Sequence, residues 1–247
     1  MSEVTAISWT KRTWNPWRGC DKVSPGCAHC YMFTAQSKYG RDPSIVVRTK
    51  TWADPLKWNR LAQASGKREN VFTCSWSDFF HSAADAWRPE VWEIIRTCNW
   101  LNFQILTKRI ERVRERLPSD WGERGYPNVW LGVSVENKRF LWRVDQLREI
   151  PARVHFVSGE PLLEDISEEL DLTGVEWFIV GGESGTGFRP MPHDWARRIR
   201  DKCQAHIPRV AFFFKQSAAS RTEMGTTLDG RIWREYPENP ENGIDWP

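Results

Sequence analysis

The stretch Val129-Trp-Leu-Gly-Val-Ser-Val135 is almost continuously apolar and rich in β-branched residues. A strand that is covered on both faces has this composition, whereas a strand with one wet face alternates apolar and polar residues. Five further runs share the pattern: Val71–Trp76, Phe103–Leu106, Val154–Val157, Trp177–Val180 and Val210–Phe214. The sequence therefore predicts six buried, mainly parallel strands.

The spacing of these runs indicates how the strands are connected. They start at residues 71, 103, 129, 154, 177 and 210, at intervals of 23 to 33 residues. Each interval fits a strand and a helix joined by a right-handed crossover. Helical spacing or start signals follow Pro89 and occur in Lys108–Leu117, Asn137–Ile150 and Pro192–His206. We therefore expect an α/β fold with a parallel barrel, complete or partial, rather than a doubly wound open sheet.

Polar residues stand where each predicted strand ends. They are Ser75, Ser77, Asp78, Thr107, Lys108, Ser134, Glu136, Glu160, Gly181, Gly182, Glu183, Lys215 and Gln216. The carboxyl ends of barrel strands meet on one face, where binding and catalytic residues lie. Some of these residues also suit a purely structural role. Ser75 or Ser134 can cap the following helix, and Glu136 or Glu160 can form an ion pair with an Arg or Lys of the barrel.

Composition excludes several classes of protein. A chain of 247 residues with a net charge of +3 and 40% hydrophobic residues is neither disordered, nor collagen-like, nor a disulfide-stapled miniprotein. No apolar run approaches the roughly 18 residues that span a bilayer, and the N-terminus lacks a signal-peptide pattern. We expect a cytoplasmic protein without membrane contact, built as a single domain, since α/β barrels routinely use about 250 residues.

Three segments differ in character within this single domain of residues 1–247. Residues 1–50 carry a net charge of +5, and residues 71–216 contain the βα repeats. Residues 221–247 carry a net charge of −3 and three prolines near their end, which predicts an irregular C-terminal tail.

Cys20, Cys27 and Cys30 form a C-x6-C-x2-C array around the turn Ser24-Pro25-Gly26. Helical sequence follows from Tyr31 to about Lys38. In a reducing compartment such cysteines serve metal binding, catalysis or packing rather than disulfides. Three thiolates suit a soft metal centre, and a four-iron cluster on three cysteines keeps one iron open.

Two other readings of the cysteines stay open. A structural zinc site of the Cys3His type would take His29 or His81 as its fourth ligand. Alternatively, the three thiols are unligated core residues. We expect Cys74, on a strand, and Cys98 and Cys203, on helices, to pack rather than to bind metal.

These motifs together resemble the phage and bacterial three-Cys-motif family of radical S-adenosylmethionine (SAM)-like proteins. The matching stretches are Thr13–Tyr31, Ser75–His81, Gln104–Arg109, Asn128–Glu136, Gly159–Leu163, Ile179–Gly185 and Phe213–Gln216. They are distributed over residues 13–216, which is most of the chain. The Thr-Lys and Gly-Val-Ser strand ends are similar, more loosely, to those of spore photoproduct lyase relatives, which repair DNA.

The resemblance implies a partial parallel (βα)6 barrel of radical SAM type, with a [4Fe–4S] cluster on Cys20, Cys27 and Cys30 and with bound SAM. The candidate cofactor-binding residues are His29, Ser75, Thr107, Ser134, Gly181, Gly182 and Glu183. The candidate catalytic residues are Lys108, Glu160 and Lys215, and the candidate substrate-binding residues are Asp78, Glu136 and Gln216. The first cysteine loop is three residues longer than in the commonest radical SAM spacing, and His29 replaces an aromatic residue near the adenine.

The leading hypothesis is a radical SAM enzyme that modifies or repairs a substrate, with a nucleic acid or nucleotide favoured over a peptide. The resemblance also implies an electron donor and a dedicated partner protein. The alternative is a non-catalytic nucleic-acid-binding protein with a structural zinc or iron–sulfur site. It is supported by the basic segment 1–50, the tryptophans, and a predicted basic helix with Lys108, Arg109, Arg112, Arg114 and Arg116. The polar strand ends favour the enzyme.

Overall fold

A computed structural model describes residues 5–237. Its strands are β1 (Arg12–Trp14), β2 (Trp17–Arg18), β3 (Val47–Arg48), β4 (Glu69–Thr73), β5 (Leu101–Thr107), β6 (Val129–Ser134), β7 (Val154–Gly159), β8 (Trp177–Gly181), β9 (Ala211–Gln216), β10 (Thr227–Leu228) and β11 (Arg231–Ile232). Its α-helices are α1 (Tyr31–Lys38), α2 (Asp54–Ser65), α3 (Arg88–Thr97), α4 (Trp142–Arg148) and α5 (His193–Ala205).

Seven strands form one parallel sheet in the order β1-β4-β5-β6-β7-β8-β9. The six predicted strands are β4 to β9, and each pairs with the next along the chain. The seventh strand, β1, was not predicted and extends the edge beside β4. The sheet is curled and its two edge strands are β1 and β9, so the prediction of a partial parallel α/β barrel is confirmed.

Side chains alternate between the two faces of each strand and divide the core in two. The outer face packs against the helices through residues such as Val71, Ile105 and Phe212. The inner face holds a separate aromatic cluster: Trp9, Phe72, Trp130, Phe156, Trp177 and Phe213. Both faces are apolar over most of their length, which explains the continuous hydrophobic runs in the sequence.

Gly132 in β6 makes room for this inner cluster. A Cβ at Gly132 would lie 2.5 Å from the ring of Phe156, which is closer than side chains can approach. Trp9, from the segment before β1, packs its ring 4.6 Å from the ring centre of Phe72. The N-terminal segment thus fills the barrel interior, and this accounts structurally for one of the tryptophans.

Two sequence predictions of local structure are wrong. The predicted helix Lys108–Leu117 is a pair of 3-10 turns, Ile110–Arg112 and Arg114–Arg116, and both Arg112 and Arg116 direct their guanidinium groups to Asp85. Cys74 lies just beyond β4 rather than on it, with a positive φ of 66°. Cys98 also differs slightly, since it follows the last residue of α3.

The helix α2 was not predicted. In the segment that we expected to be irregular, β10 and β11 form a short antiparallel ladder, and residues 238–247 of that segment lie outside the described residues. Within the described chain, no helix is both long enough and apolar enough to cross a membrane.

Candidate functional site

A cavity of about 220 Å³ lies at the carboxyl ends of the sheet strands. All of the predicted site residues line it except Gly181 and Glu136. The strand register explains this convergence, because Ser134 lies beside Ser158 and Thr107 beside Val133 at the same height of the sheet. The polar strand ends of the sequence therefore meet at one place.

Local structure places the three cysteines on one wall of the cavity. Cys27 ends the 3-10 turn Pro25–Cys27, and Cys30 is the residue before α1. The backbone N–H of Cys20 donates to the carbonyl of Pro43, which turns Cys20 back toward the other two cysteines. Gly19 permits this turn with a φ of 98°, and a Cβ there would lie 2.3 Å from the carbonyl oxygen of Ile45.

The three thiols are free, and their surroundings hold at least two of them protonated. Burial, followed by the nearby Asp78 carboxylate, raises the pKa of Cys20 to about 12. Burial likewise raises the pKa of Cys30. A thiol in such surroundings is a poor nucleophile by itself, whereas a bound metal deprotonates its thiol ligands outright. The chemistry of this donor set therefore fits a metal centre better than thiol catalysis.

The described residues contain no preformed group of ligands for a single metal ion. Zinc holds sulfur at about 2.3 Å, so that two of its sulfur ligands lie within about 4.6 Å of each other. Among residues 5–237, no three His, Cys, Asp or Glu side chains are close enough to hold one metal ion. His81 uses one ring nitrogen on Asp21 and the other on the N–H of Ala83.

The carboxylate of Asp78 accepts hydrogen bonds from neighbouring residues at the edge of the cavity. One of its carboxylate oxygens accepts from the Thr107 hydroxyl at 2.7 Å and from the N–H of Phe80. The other accepts from the N–H of Lys108 at 2.9 Å. Asp78 borders the cavity as predicted, but its oxygens are engaged in joining two strand ends.

Gln216 is engaged in the same way. Its carboxamide donates to the carbonyl of Gly182 and accepts from the Thr222 hydroxyl and the N–H of Glu223. The side chain therefore links the end of β9 to the residue after β8 and to the segment that follows β9, and it borders the cavity.

Lys215 and Glu160 form an ion pair on the cavity wall, with 2.8 Å between Nζ and Oε2. Both side chains are largely buried, with 16% and 15% of their surface exposed, and both border the cavity. Gly181 lies behind Glu160, and a Cβ at Gly181 would lie 3.1 Å from the Glu160 side chain. Gly181 thus shapes the site from behind the carboxylate without lining it.

Glu136, which we predicted to be a substrate-binding residue, is not among the residues that line the cavity. It is fully buried between Lys108 and Arg143. Burial alone would raise the pKa of Glu136, but the charges and hydrogen bonds of Lys108, Ser24 and Arg143 lower it. A carboxylate held in this way is a structural anion.

The sequence reasoning missed several residues at the site. Cys74 and Met32 line the cavity. The Tyr31 hydroxyl donates to the carbonyl of Ser75 at 2.5 Å, and Arg189 binds Glu183. The position of Tyr31 directly after Cys30 could have indicated its place, whereas no local signal marks Arg189.

A second cavity of about 570 Å³ lies at the opposite end of the strands, near Val154 and Ala211. It is larger than the first cavity, but it contains no cysteine and no predicted site residue. We therefore place the candidate chemistry at the carboxyl ends.

Comparison with solved structures finds spore photoproduct lyase complexed with dinucleoside spore photoproduct, at 12% identity and a TM-score of 0.45. It also finds a double mutant of that lyase with bound AdoMet and the same photoproduct, at 12% identity and a TM-score of 0.45. These matches cover 76% and 77% of this chain and 59% and 60% of the lyase chains, so the protein spans less than two thirds of their length. A comparison with curated proteins finds no match.

Residues 4–237 match the family model described as "Protein of unknown function (DUF5131)", and the chain belongs to that family.

Proposed function

We propose that the protein is a radical SAM enzyme whose [4Fe–4S] cluster is held by Cys20, Cys27 and Cys30. The observation that carries the proposal is that these three free thiols line one cavity together with the polar ends of the parallel strands. Their resemblance to the three-Cys-motif family supports the same reading. When bound, the cluster and SAM would supply reductive cleavage of the sulfonium and a 5′-deoxyadenosyl radical.

The protein's own residues would orient and enclose the ligands. Lys215 and Glu160 present opposite charges on one wall, which suits the carboxylate and ammonium of an amino-acid group. Ser134 places a buried hydroxyl at the end of β6, and Gly182 brings its backbone to the cavity. Phe72, Leu106 and Met32 supply apolar surface that excludes water from the chamber.

The experiment is anaerobic reconstitution with iron and sulfide, followed by reduction and addition of SAM. We expect about four irons per chain, a change in the EPR spectrum of the reduced cluster on adding SAM, and release of 5′-deoxyadenosine. An intact cluster whose spectrum ignores SAM would contradict the enzyme. One zinc per chain without visible absorption would favour the structural-zinc alternative instead.

We propose a nucleic acid as the substrate class, on one surface feature beside the cysteines. Tyr39 is 68% exposed, and the guanidinium of Arg41 lies 5.4 Å from its ring centre. The same loop continues to Pro43, which binds the backbone of Cys20. An exposed ring with an adjacent cation suits stacking of a base and contact with a phosphate.

The basic stretch 108–116 gives this proposal less support than the sequence suggested. Arg112 and Arg116 converge on Asp85, and Arg114 lies 3.7 Å from Glu149. We therefore expect Tyr39→Ala and Arg41→Ala, rather than changes at Arg112, to weaken binding of single-stranded DNA or RNA about fivefold or more at low salt. If the wild-type protein binds neither single-stranded DNA nor single-stranded RNA at low ionic strength, the nucleic-acid proposal is wrong.

The dedicated partner protein and the electron donor stay predictions.

A further inference from the structure

We infer that Glu183 and Arg189 form a clamp that positions the loop carrying Cys27, so that Glu183 is a positioning residue rather than a ligand of the cofactor. The inference deepens the proposed function and rests on it only where it concerns iron. The sequence had placed Glu183 among the cofactor-binding residues. Its contacts give it a different role.

The carboxylate of Glu183 is only 5% exposed and already has four donors. Its Oε2 accepts from the backbone N–H of Arg189 and from Nε of the same arginine, each at 2.9 Å. His29 Nδ1 lies 2.9 Å from the same oxygen, and the second guanidinium nitrogen of Arg189 bonds Oε1. A carboxylate offers about four acceptor sites, so these contacts leave little capacity for a ligand.

Both partners of Glu183 reach the cysteine loop. Arg189 donates a 3.0 Å hydrogen bond to the carbonyl of Pro25, two residues before Cys27. His29 follows Cys27 by two residues and is held directly by Glu183. Cys27 is therefore fixed from both sides by one buried carboxylate that follows the end of β8.

The chemistry of arginine explains why one residue can serve both contacts. Its planar guanidinium presents donors in several directions, so it can bind a carboxylate in a bidentate manner and still donate to a carbonyl. One guanidinium nitrogen of Arg189 donates both to Oε1 of Glu183 and to the carbonyl of Pro25, while Nε donates to Oε2; a lysine has no second nitrogen to replace Nε. The clamp thus depends on the shape of the side chain as well as on its charge.

The test uses the iron-free full chain and measures alkylation of each cysteine by iodoacetamide with mass spectrometry. In Arg189→Ala, we expect Cys27 and Cys30 to react about tenfold faster, because loss of a charged hydrogen-bond network opens the loop. Arg189→Lys should show a smaller increase. The matched control is Arg198→Ala, since Arg198 pairs with Asp165 away from the loop.

Cys98 and Cys203 are fully buried outside the cavity and serve as internal controls. Unchanged rates at these two cysteines, with a rise at Cys27, would support a local clamp. An unchanged rate at Cys27, or an equal rise at Cys98 and Cys203, would overturn it, because the second result reports global unfolding.

Iron provides the readout that depends on the proposed function. If the wild-type protein takes up a cluster, Arg189→Ala should lose iron to a chelator about tenfold faster and show an altered EPR spectrum, whereas Arg198→Ala should not. Equal iron loss and equal spectra in both variants would overturn the inference. Failure of the wild-type protein to take up iron would defeat the proposed function, and the alkylation rates would still decide on the clamp.

Discussion

The hydroxyl of Ser24 donates a 2.5 Å hydrogen bond to Oε1 of Glu136, which lies 112 residues later in the chain. The turn between Cys20 and Cys27 therefore rests on a buried anion of the barrel. The turn can approach Glu136 this closely because Gly26 has no side chain. A Cβ at Gly26 would lie 2.5 Å from the Glu136 side chain.

Replacing Glu136 should destabilise the fold far more than replacing Ser24. Glu136→Ala leaves the Lys108 and Arg143 charges without their shared carboxylate, which costs about 3–5 kcal/mol for a buried pair. Ser24→Ala removes one hydrogen bond and should cost about 1 kcal/mol. Urea unfolding measures both free energies, and equal losses in the two variants would contradict this account.

Substituting Cys20, Cys27 or Cys30 by Ala should abolish retention of the cluster, with iron falling from about four to less than one per chain. Cys98→Ala and Cys203→Ala should retain it, because both thiols pack in the outer core. Iron and sulfide analysis after desalting measures the difference.

Cys74→Ala is the sharpest control for the cysteine series, because Cys74 lines the same cavity. Burial raises the pKa of its thiol well above the ordinary value, and we expect it to stay unligated. Iron loss in this variant would mean that four cysteines close the site and leave no open iron for SAM.

Gly182→Ala should destabilise the protein by about 2–3 kcal/mol. The added Cβ would lie 2.2 Å from the backbone nitrogen of Ala218, and backbone atoms cannot move aside cheaply. Gly159→Ala is the matched control, since its Cβ would meet atoms no closer than 3.5 Å and should cost less than about 1 kcal/mol. Comparable unfolding midpoints for the two variants would refute the predicted clash.

Acid should weaken the contact between Glu183 and the loop. Burial alone would raise the pKa of Glu183, but hydrogen bonds from Arg189 and His29 lower it from 4.5 to about 2. The folded state therefore binds fewer protons, so Glu183 adds stability above about pH 4.5 that disappears as the pH falls toward 2. Urea unfolding across this range should show a steeper decline for wild type than for Glu183→Gln, and parallel declines would disprove it.

The strands could be predicted from sequence because burial on both faces leaves long apolar runs, and their spacing reports the crossovers. The residue at which β4 ends could not be predicted in this way. The run continues through Trp76, but Cys74 adopts a positive φ and turns the chain before that residue. Likewise, Arg112 and Arg116 have helical spacing, yet their segment forms 3-10 turns, and both arginines bind Asp85 from an earlier part of the chain.

The convergence of the site residues also followed from the sequence, since parallel strands end on one face. The sequence did not indicate which of the polar groups face the cavity. Glu136 and Glu160 both stand just after strands, yet Glu136 is buried by Ser24 from a distant loop, whereas Glu160 meets Lys215 in the cavity. Such differences depend on contacts between segments far apart in the chain.

The aromatic cluster fills the barrel interior below the cavity, and Phe72 of this cluster lines the cavity itself. In the described part of the chain, Trp9, Phe156 and Trp177 pack beneath the polar strand ends, with 6.0 Å between the ring centres of Trp9 and Trp177. We therefore expect small molecules to enter and leave the cavity on the side of the cysteine loop rather than through the barrel interior. Such a cavity would favour ordered binding, in which the molecule that lies deeper enters first and leaves last.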